Sequence, residues 1–187
     1  MQALLNLIQR SKAGDQIAFG EIFNQYKNLV YKTAYLLLDN PYEAEDALQE
    51  IFVKVYRSLE KYQPLKGAFS TWLYRITVNH CLNQKRKPLR IADNLEKTKV
   101  SSPPVHNLED QFAEEQALQQ ALNHLSAKLR AVIVLRYYHD LSYAEIAQIL
   151  EIPLGTVQSR LNLAMKHMQN ALQAEKTQTY SKREVSK

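Results

Sequence analysis

The stretch "LSYAEIAQILEIPLGTVQSRL", Leu141 to Leu161, sets two helix signatures back to back with almost no chain between them. Ser142 and Glu145 have the spacing of a capping box, in which each side chain answers the other's free backbone amide. Ile146, Ala147 and Leu150 then recur at helical spacing as a buried face. Ala147 matters because a lone methyl lets another helix approach closely. Glu151 and Ile152 make the turn, Pro153 opens the next helix, and Val157 and Leu161 anchor it. At Glu151 the turn wants left-handed backbone, which costs a non-glycine residue about 1 kcal/mol. So tight a pair is a helix-turn-helix, and other helices must cover its apolar side.

The second helix of the pair presents Thr156, Gln158, Ser159, Arg160, Asn162 and Lys166. Hydroxyl, amide and cationic groups of this kind reach base edges and phosphates in a major groove. No acidic residue lies between Leu154 and Ala174 to repel a duplex. A plain helical hairpin with a solvated polar face is the competing reading. It leaves the capping box, the small Ala147 and the acid-free face as coincidences.

The rest of the chain also reads as helical. Only 4 of 187 residues are glycine, and alternating Val/Ile/Thr runs are hard to find. A first helix is expected from Gln2 to Ala13, where Gly14 and Asp15 interrupt it. A second, Gln16 to Leu38, carries Phe19, Ile22, Phe23, Tyr26, Leu29, Val30 and Leu37 at three- and four-residue steps. Asn40 can cap a third helix whose first turn holds Pro41, running to about Lys61 and burying Ala44, Leu48, Ile51, Val55 and Leu59. Ser70 can cap a fourth, from Thr71 to about Lys87. Further helices are expected from Gln111 to Leu125 and, capped by Ser126, to Tyr138. The fold expected is therefore all-α: two small helical domains joined by a flexible linker, the second one a helix-turn-helix. Their bounds are 1–87 and 112–175. Residues 88–111, with two adjacent prolines and scattered charges, form the linker, and 176–187 an unstructured tail.

Composition narrows the function classes. With 45% hydrophobic and 23% charged residues the chain can build ordinary packed cores. No apolar run reaches the roughly 18 to 20 residues that span a bilayer, and "MQALLNLIQRSK" is too short and polar for a signal peptide. No membrane insertion and a cytoplasmic location are expected. The one cysteine, Cys81, cannot form an internal disulfide and reads as a buried structural thiol. A net charge of +5 fits a polyanionic partner without demanding one. No phosphate-cradling glycine loop, metal-ligand cluster or paired nucleophile and base is evident, so neither enzyme chemistry, cofactor nor metal is expected.

Two features of the N-terminal half remain. Between Asp39 and Glu50 stand five acids (Asp39, Glu43, Glu45, Asp46, Glu50) and no base. Helix-dipole complementarity accounts for part of this excess, and a basic protein partner for the rest. The segment "KGAFSTWLYRITVNHCLNQKRK" mixes aromatics with cations. Phe69, Trp72, Leu73 and Ile76 make an inner stripe, while Tyr74, Arg75, Asn79 and the Lys85-Arg86-Lys87 run face elsewhere. Such surfaces suit unstacked bases and single-strand phosphates. A helix-turn-helix activator and a helical RNA-binding protein or enzyme both remain open on these features alone.

Taken together and in order, "DNPYEAEDALQEIFVKVYRSLEKY", "GAFSTWLYRITVNHCLNQKRK" and "LSYAEIAQILEIPLGTVQSRLNLAMKHM" resemble the extracytoplasmic-function sigma factors of bacterial RNA polymerase, the compact members of the sigma-70 family. The resemblance spans roughly residues 15–87 and 112–172. It implies that Asp46, Gln49, Glu50 and Phe52 grip the clamp helices of the largest subunit of core polymerase, with the flap as a further contact. The Tyr62–Ser70 loop and the helix after it would capture the minus-ten strand, through Tyr74, Arg75, Asn79, Lys85 and Arg86. The helix-turn-helix from Tyr143 to Asn162 would read the minus-thirty-five duplex through Thr156, Gln158, Ser159, Arg160 and Asn162, with Lys166 on phosphate. An anti-sigma factor, often membrane-bound in this family, is the implied regulator. Gln158 and Asn162 stand where relatives often carry cationic or aromatic groups. They favour adenine, so the promoter sequence does not carry over.

Overall fold

The computed structural model describes residues 2–86 and 120–184, the stretch beyond 171 by its backbone alone. The described residues form helices and short turns, with no strand among them. The linker expected at 88–111 and most of the helix expected from Gln111 lie outside the described residues. Within the latter, 120–123 are helical.

Four helices build the N-terminal body: α1 (Gln2–Lys12), α2 (Gln16–Leu38), α3 (Pro41–Ser58) and α4 (Phe69–Arg86). Asp15 starts α2 by accepting from the amides of Ile17 and Ala18, and Arg10 pairs with the same carboxylate at 2.7 Å. These bonds hold the Asp15 carboxyl below its ordinary range, the Ala18 amide first. Asn40 caps α3 from Tyr42 N at 2.9 Å and Glu43 N at 3.2 Å, with Pro41 in the first turn. The helix ends at Ser58, and Leu59–Lys61 tighten into a 3₁₀ turn that buries Leu59.

The start of α4 differs from expectation. It begins at Phe69, so Ser70 lies inside the first turn and does not cap. Trp72 N bonds Ala68 O instead. The cause is tertiary: the Phe69 ring is drawn into a cluster with Tyr26, Tyr62 and Trp72 at centroid distances of 5.1, 5.3 and 5.5 Å. α2 is the hub, packing against α1, α3 and α4. Cys81 is buried in this core, as expected, and burial pushes its thiol up to about 12.

The C-terminal body contains α5 (Ala127–Ile133), a π-helical turn (Val134–Tyr138), α6 (Tyr143–Leu150) and α7 (Leu154–Glu184). Ser126 stands at the cap of α5 with extended backbone, but its side chain makes no capping bond. The helix expected to reach Tyr138 thus widens halfway. α7 continues to Glu184, past the point where an unstructured tail was expected from residue 176.

The two bodies are packed together. α6 lies on α4, α5 touches α2 and α4, and one continuous apolar core runs through both halves.

Candidate nucleic-acid interface

The helix-turn-helix forms as its residues dictate. Ser142 Oγ accepts from Glu145 N at 3.3 Å, and Ser142 N donates to Glu145 Oε2 at 2.8 Å. Ser142 Oγ also donates to Glu145 Oε2 at 2.7 Å, and this bond first, then the one from Ser142 N, holds the Glu145 carboxyl below its ordinary range. Glu151 adopts left-handed backbone with φ 53°, and Ile152 N closes the turn on Ala147 O at 3.1 Å. Ile146 and Ile149 are the buried residues of α6, while Ala147 and Leu150 are half-buried. Ile149 was missed by the sequence reading, although it lies one helical step from Ile146. Pro153 sits one residue ahead of α7, its carbonyl accepting from Thr156 N and Val157 N.

Val157, Leu161 and Ala164 form the buried stripe of α7. The opposite side exposes Gln158, Ser159, Asn162 and Lys166, with Thr156 and Arg160 half-buried at its edges. All six candidates therefore share one accessible strip of helix. Ser159 Oγ donates to Thr156 O at 3.1 Å, which leaves its lone pairs for an outside donor.

On α3, Asp46, Gln49 and Glu50 are exposed. Phe52 is not: it is 4% exposed, with its ring edge-on to Phe23 at 4.7 Å and Phe19 at 6.3 Å. Its expected place on a docking surface is corrected accordingly. The neighbouring Val53 faces outward at 49% exposure, together with Tyr42 and Tyr56. Residues 42, 46, 49, 53 and 56 follow a 4-3-4-3 spacing, which lines them up along one side of a helix. That spacing could have identified Val53 and Tyr56 from the sequence.

The loop leading into α4 is stapled at both ends. Lys12 Nζ donates to Tyr62 O at 3.0 Å, and Tyr62 Oη donates to Gly67 O at 3.1 Å. Burial raises the Tyr62 phenol above its ordinary range. Gly67 takes φ 153°, a conformation costly for a side-chain-bearing residue. The 3₁₀ turn Pro64–Lys66 is pushed outward, and Leu65 at its apex is 102% exposed.

Along α4 the five candidates divide. Asn79 and Arg86 are exposed on one face, seven positions apart. Lys85 Nζ donates to Leu38 O at 2.8 Å, where a cation suits the C-terminal end of α2. Arg75 is exposed but paired with Glu151 of the helix-turn-helix. Tyr74, expected on the surface, is 6% exposed, and its hydroxyl bonds His139 Nδ1 at 2.9 Å. The C-terminal body covers it, a contact outside local sequence.

Among the described residues no helix is long and apolar enough to cross a membrane, and no group of three or more His, Cys, Asp or Glu could hold a metal.

Two family descriptions match the chain: Sigma-70 region 2 over residues 22–90 and Sigma-70 region 4 over residues 115–168. The ECF RNA polymerase sigma factor SigW of Bacillus subtilis is 35% identical over 177 residues, covering 88% of this chain and 94% of its own length. The ECF RNA polymerase sigma-E factor of Escherichia coli K12 is 33% identical, covering 89% and 93%. Among solved structures, the sigma factor RpoE in complex with the anti-sigma factor NepR from Bartonella quintana aligns with a TM-score of 0.67 at 25% identity, over 83% of this chain and 96% of that one. CnrH, in complex with the cytosolic domain of CnrY, shares the fold at a TM-score of 0.68. The order of helices, the capped helix-turn-helix and these likenesses agree: the chain belongs to the extracytoplasmic-function family of RNA polymerase sigma factors.

Proposed function

We propose that this chain binds core RNA polymerase through the outward stripe of α3 and directs it to promoters, with α7 reading duplex and the loop and face of α4 holding opened strand. The observation that carries the reading is the order of surfaces. An acidic and apolar stripe, Asp46, Gln49, Glu50, Val53 and Tyr56, lies in the first matched region, and an acid-free polar helix face lies in the second. One bidentate base contact contributes roughly 1–3 kcal/mol of discrimination, too little for a small reading head to find promoters alone. Fixing both bodies to one polymerase makes the second DNA contact nearly intramolecular. Unstacking captured bases costs a few kcal/mol, so strand opening needs binding energy and no covalent chemistry.

For α7, Gln158 and Asn162 are the base-reading candidates and Arg160 and Lys166 the cationic ones. Asn79 and Arg86 remain the accessible pair on α4. A regulator of the anti-sigma type is supported by the Bartonella relative, whose structure contains one.

Run-off transcription from a genomic promoter library, with sigma-free core enzyme and this chain, tests the reading. Site-selective transcripts that depend on the chain are expected. Their absence from every template overturns it, and so does retention of core binding by Glu50→Lys combined with Val53→Asp.

A further inference from the structure

Polar contacts among the described residues tie the reading head to the strand-holding body. Arg75 of α4 pairs with Glu151 at the turn of the helix-turn-helix. Arg130 of α5 is 93% buried and sends Nη1 to Leu37 O, at the C-terminal end of α2, at 3.3 Å. Between them His139 bridges Thr33 Oγ1 of α2 and Tyr74 Oη of α4, at 2.9 Å each.

The bridge is complete with a neutral ring. Thr33 gives its own proton to Leu29 O at 2.6 Å, so its oxygen accepts from His139 Nε2–H. Tyr74 O–H is then the donor to the bare Nδ1. The π-helical turn that widens α5 ends on His139, whose N–H bonds Val134 O at 3.2 Å, and thereby sets the ring at the seam.

The seam is not packed throughout. An open apolar hollow of about 60 Å³ indents it, lined by Leu36 from α2 and by Leu122, Ile133, Val134, Tyr137 and Tyr138 from the other body. Arg130 Nε is buried without a hydrogen-bond partner among the described residues. The hollow forfeits packing contacts and the unpartnered nitrogen adds a desolvation cost, so both reduce the stability of the closed arrangement.

We propose that the Thr33–His139–Tyr74 bridge and the Arg75–Glu151 pair form a clasp that holds the free chain closed, and that the clasp must separate before the chain can engage a promoter. This rests on the promoter reading above. The minus-ten and minus-thirty-five elements are separated by roughly 25 base pairs, about 85 Å at 3.4 Å each. A compact body of about 150 residues has a radius of gyration near 15 Å and is about 40 Å across. A closed chain cannot touch both elements. Closure also occupies Tyr74 and Arg75, both candidates for holding the opened strand. Polymerase, by docking the two bodies apart, selects the open form, and closure lowers the apparent affinity by the fraction of chain that is open.

Dyes on cysteines introduced at the exposed positions Lys32 and Gln169 report the separation by energy transfer, since buried Cys81 resists labelling. The free chain should show high transfer, and core polymerase should lower it. Glu151→Arg, and its combination with His139→Phe, should lower transfer without core while far-UV circular dichroism stays unchanged. Arg75→Glu added to Glu151→Arg should restore it. The opened variants should bind core on the order of tenfold more tightly. Equal transfer in the wild-type chain and in Glu151→Arg, whose exposed position spares the fold, overturns the clasp. If transfer responds as stated but core and chain together give no site-selective transcripts, the clasp stands and the promoter reading fails.

Discussion

Phe52 turns into the core and its neighbour Val53 faces outward from α3, so substitutions at the two should separate folding from the proposed docking. Phe52→Ala removes a buried ring from between Phe19 and Phe23 and should cost about 3–5 kcal/mol of stability, read by denaturant unfolding. Val53→Asp changes an exposed side chain and should leave stability within about 0.5 kcal/mol. It should nonetheless abolish co-elution with core polymerase. The opposite pattern, with Phe52→Ala stable and Val53→Asp unfolded, would reverse the assignment of the two faces. Sequence pattern gave the helix and its acid-rich side correctly. It misjudged Phe52 because an aromatic beside Glu50 and Gln49 looks like part of the same surface, and only the facing Phe19 and Phe23 of α2 reveal which way it turns.

Among the elements, the proposed function gives α7 and the stapled loop separate duties. Arg160→Ala should weaken preference for a matched over a scrambled upstream element by about 1–3 kcal/mol, measured as the ratio of transcripts from the two templates. Equal ratios in the wild-type chain and the variant would remove Arg160 from base reading. α1 lies outside the matched Sigma-70 region 2, which begins at residue 22, yet its Lys12 holds the start of the 62–70 loop. Lys12→Met should therefore slow opening of a duplex promoter several-fold while the unfolding temperature stays nearly constant. On a template with the minus-ten segment already unpaired the defect should shrink. A defect of the same size on both templates would mean that Lys12 acts elsewhere. The capping box, the left-handed Glu151 and the Asn40 cap were legible because each is a local matter of a few adjacent residues. The start of α4 was not, because a tertiary aromatic cluster, rather than Ser70, sets it.

For the whole molecule, acidity should act through the clasp. Burial lowers the His139 pKa to about 4, against an ordinary value near 6.5. Thr33 faces the ring from α2 and Tyr74 from α4, with Tyr138 on its own element, where Arg136 and Asp140 also pair at 3.2 Å. The closed form binds fewer protons, so its advantage is full above about pH 6.5 and declines as pH falls towards 4. Energy transfer between the bodies should drop across that window in the wild-type chain and lose the step in His139→Phe. An identical pH profile in both would exclude His139 as the bridging group.

Sequence alone determined that the chain is helical, where the helix-turn-helix lies, which strip of it is polar and which family it resembles, because periodicity, caps and short-range spacing are written in adjacent residues. Tertiary structure decided what could not be read locally: that Phe52 turns inward, that Lys85 serves the end of α2, and that Tyr74 and Arg75 meet the other body. Each of these depends on a partner at least 29 positions away in the chain, and nothing in a helix's own pattern says which distant surface will cover it.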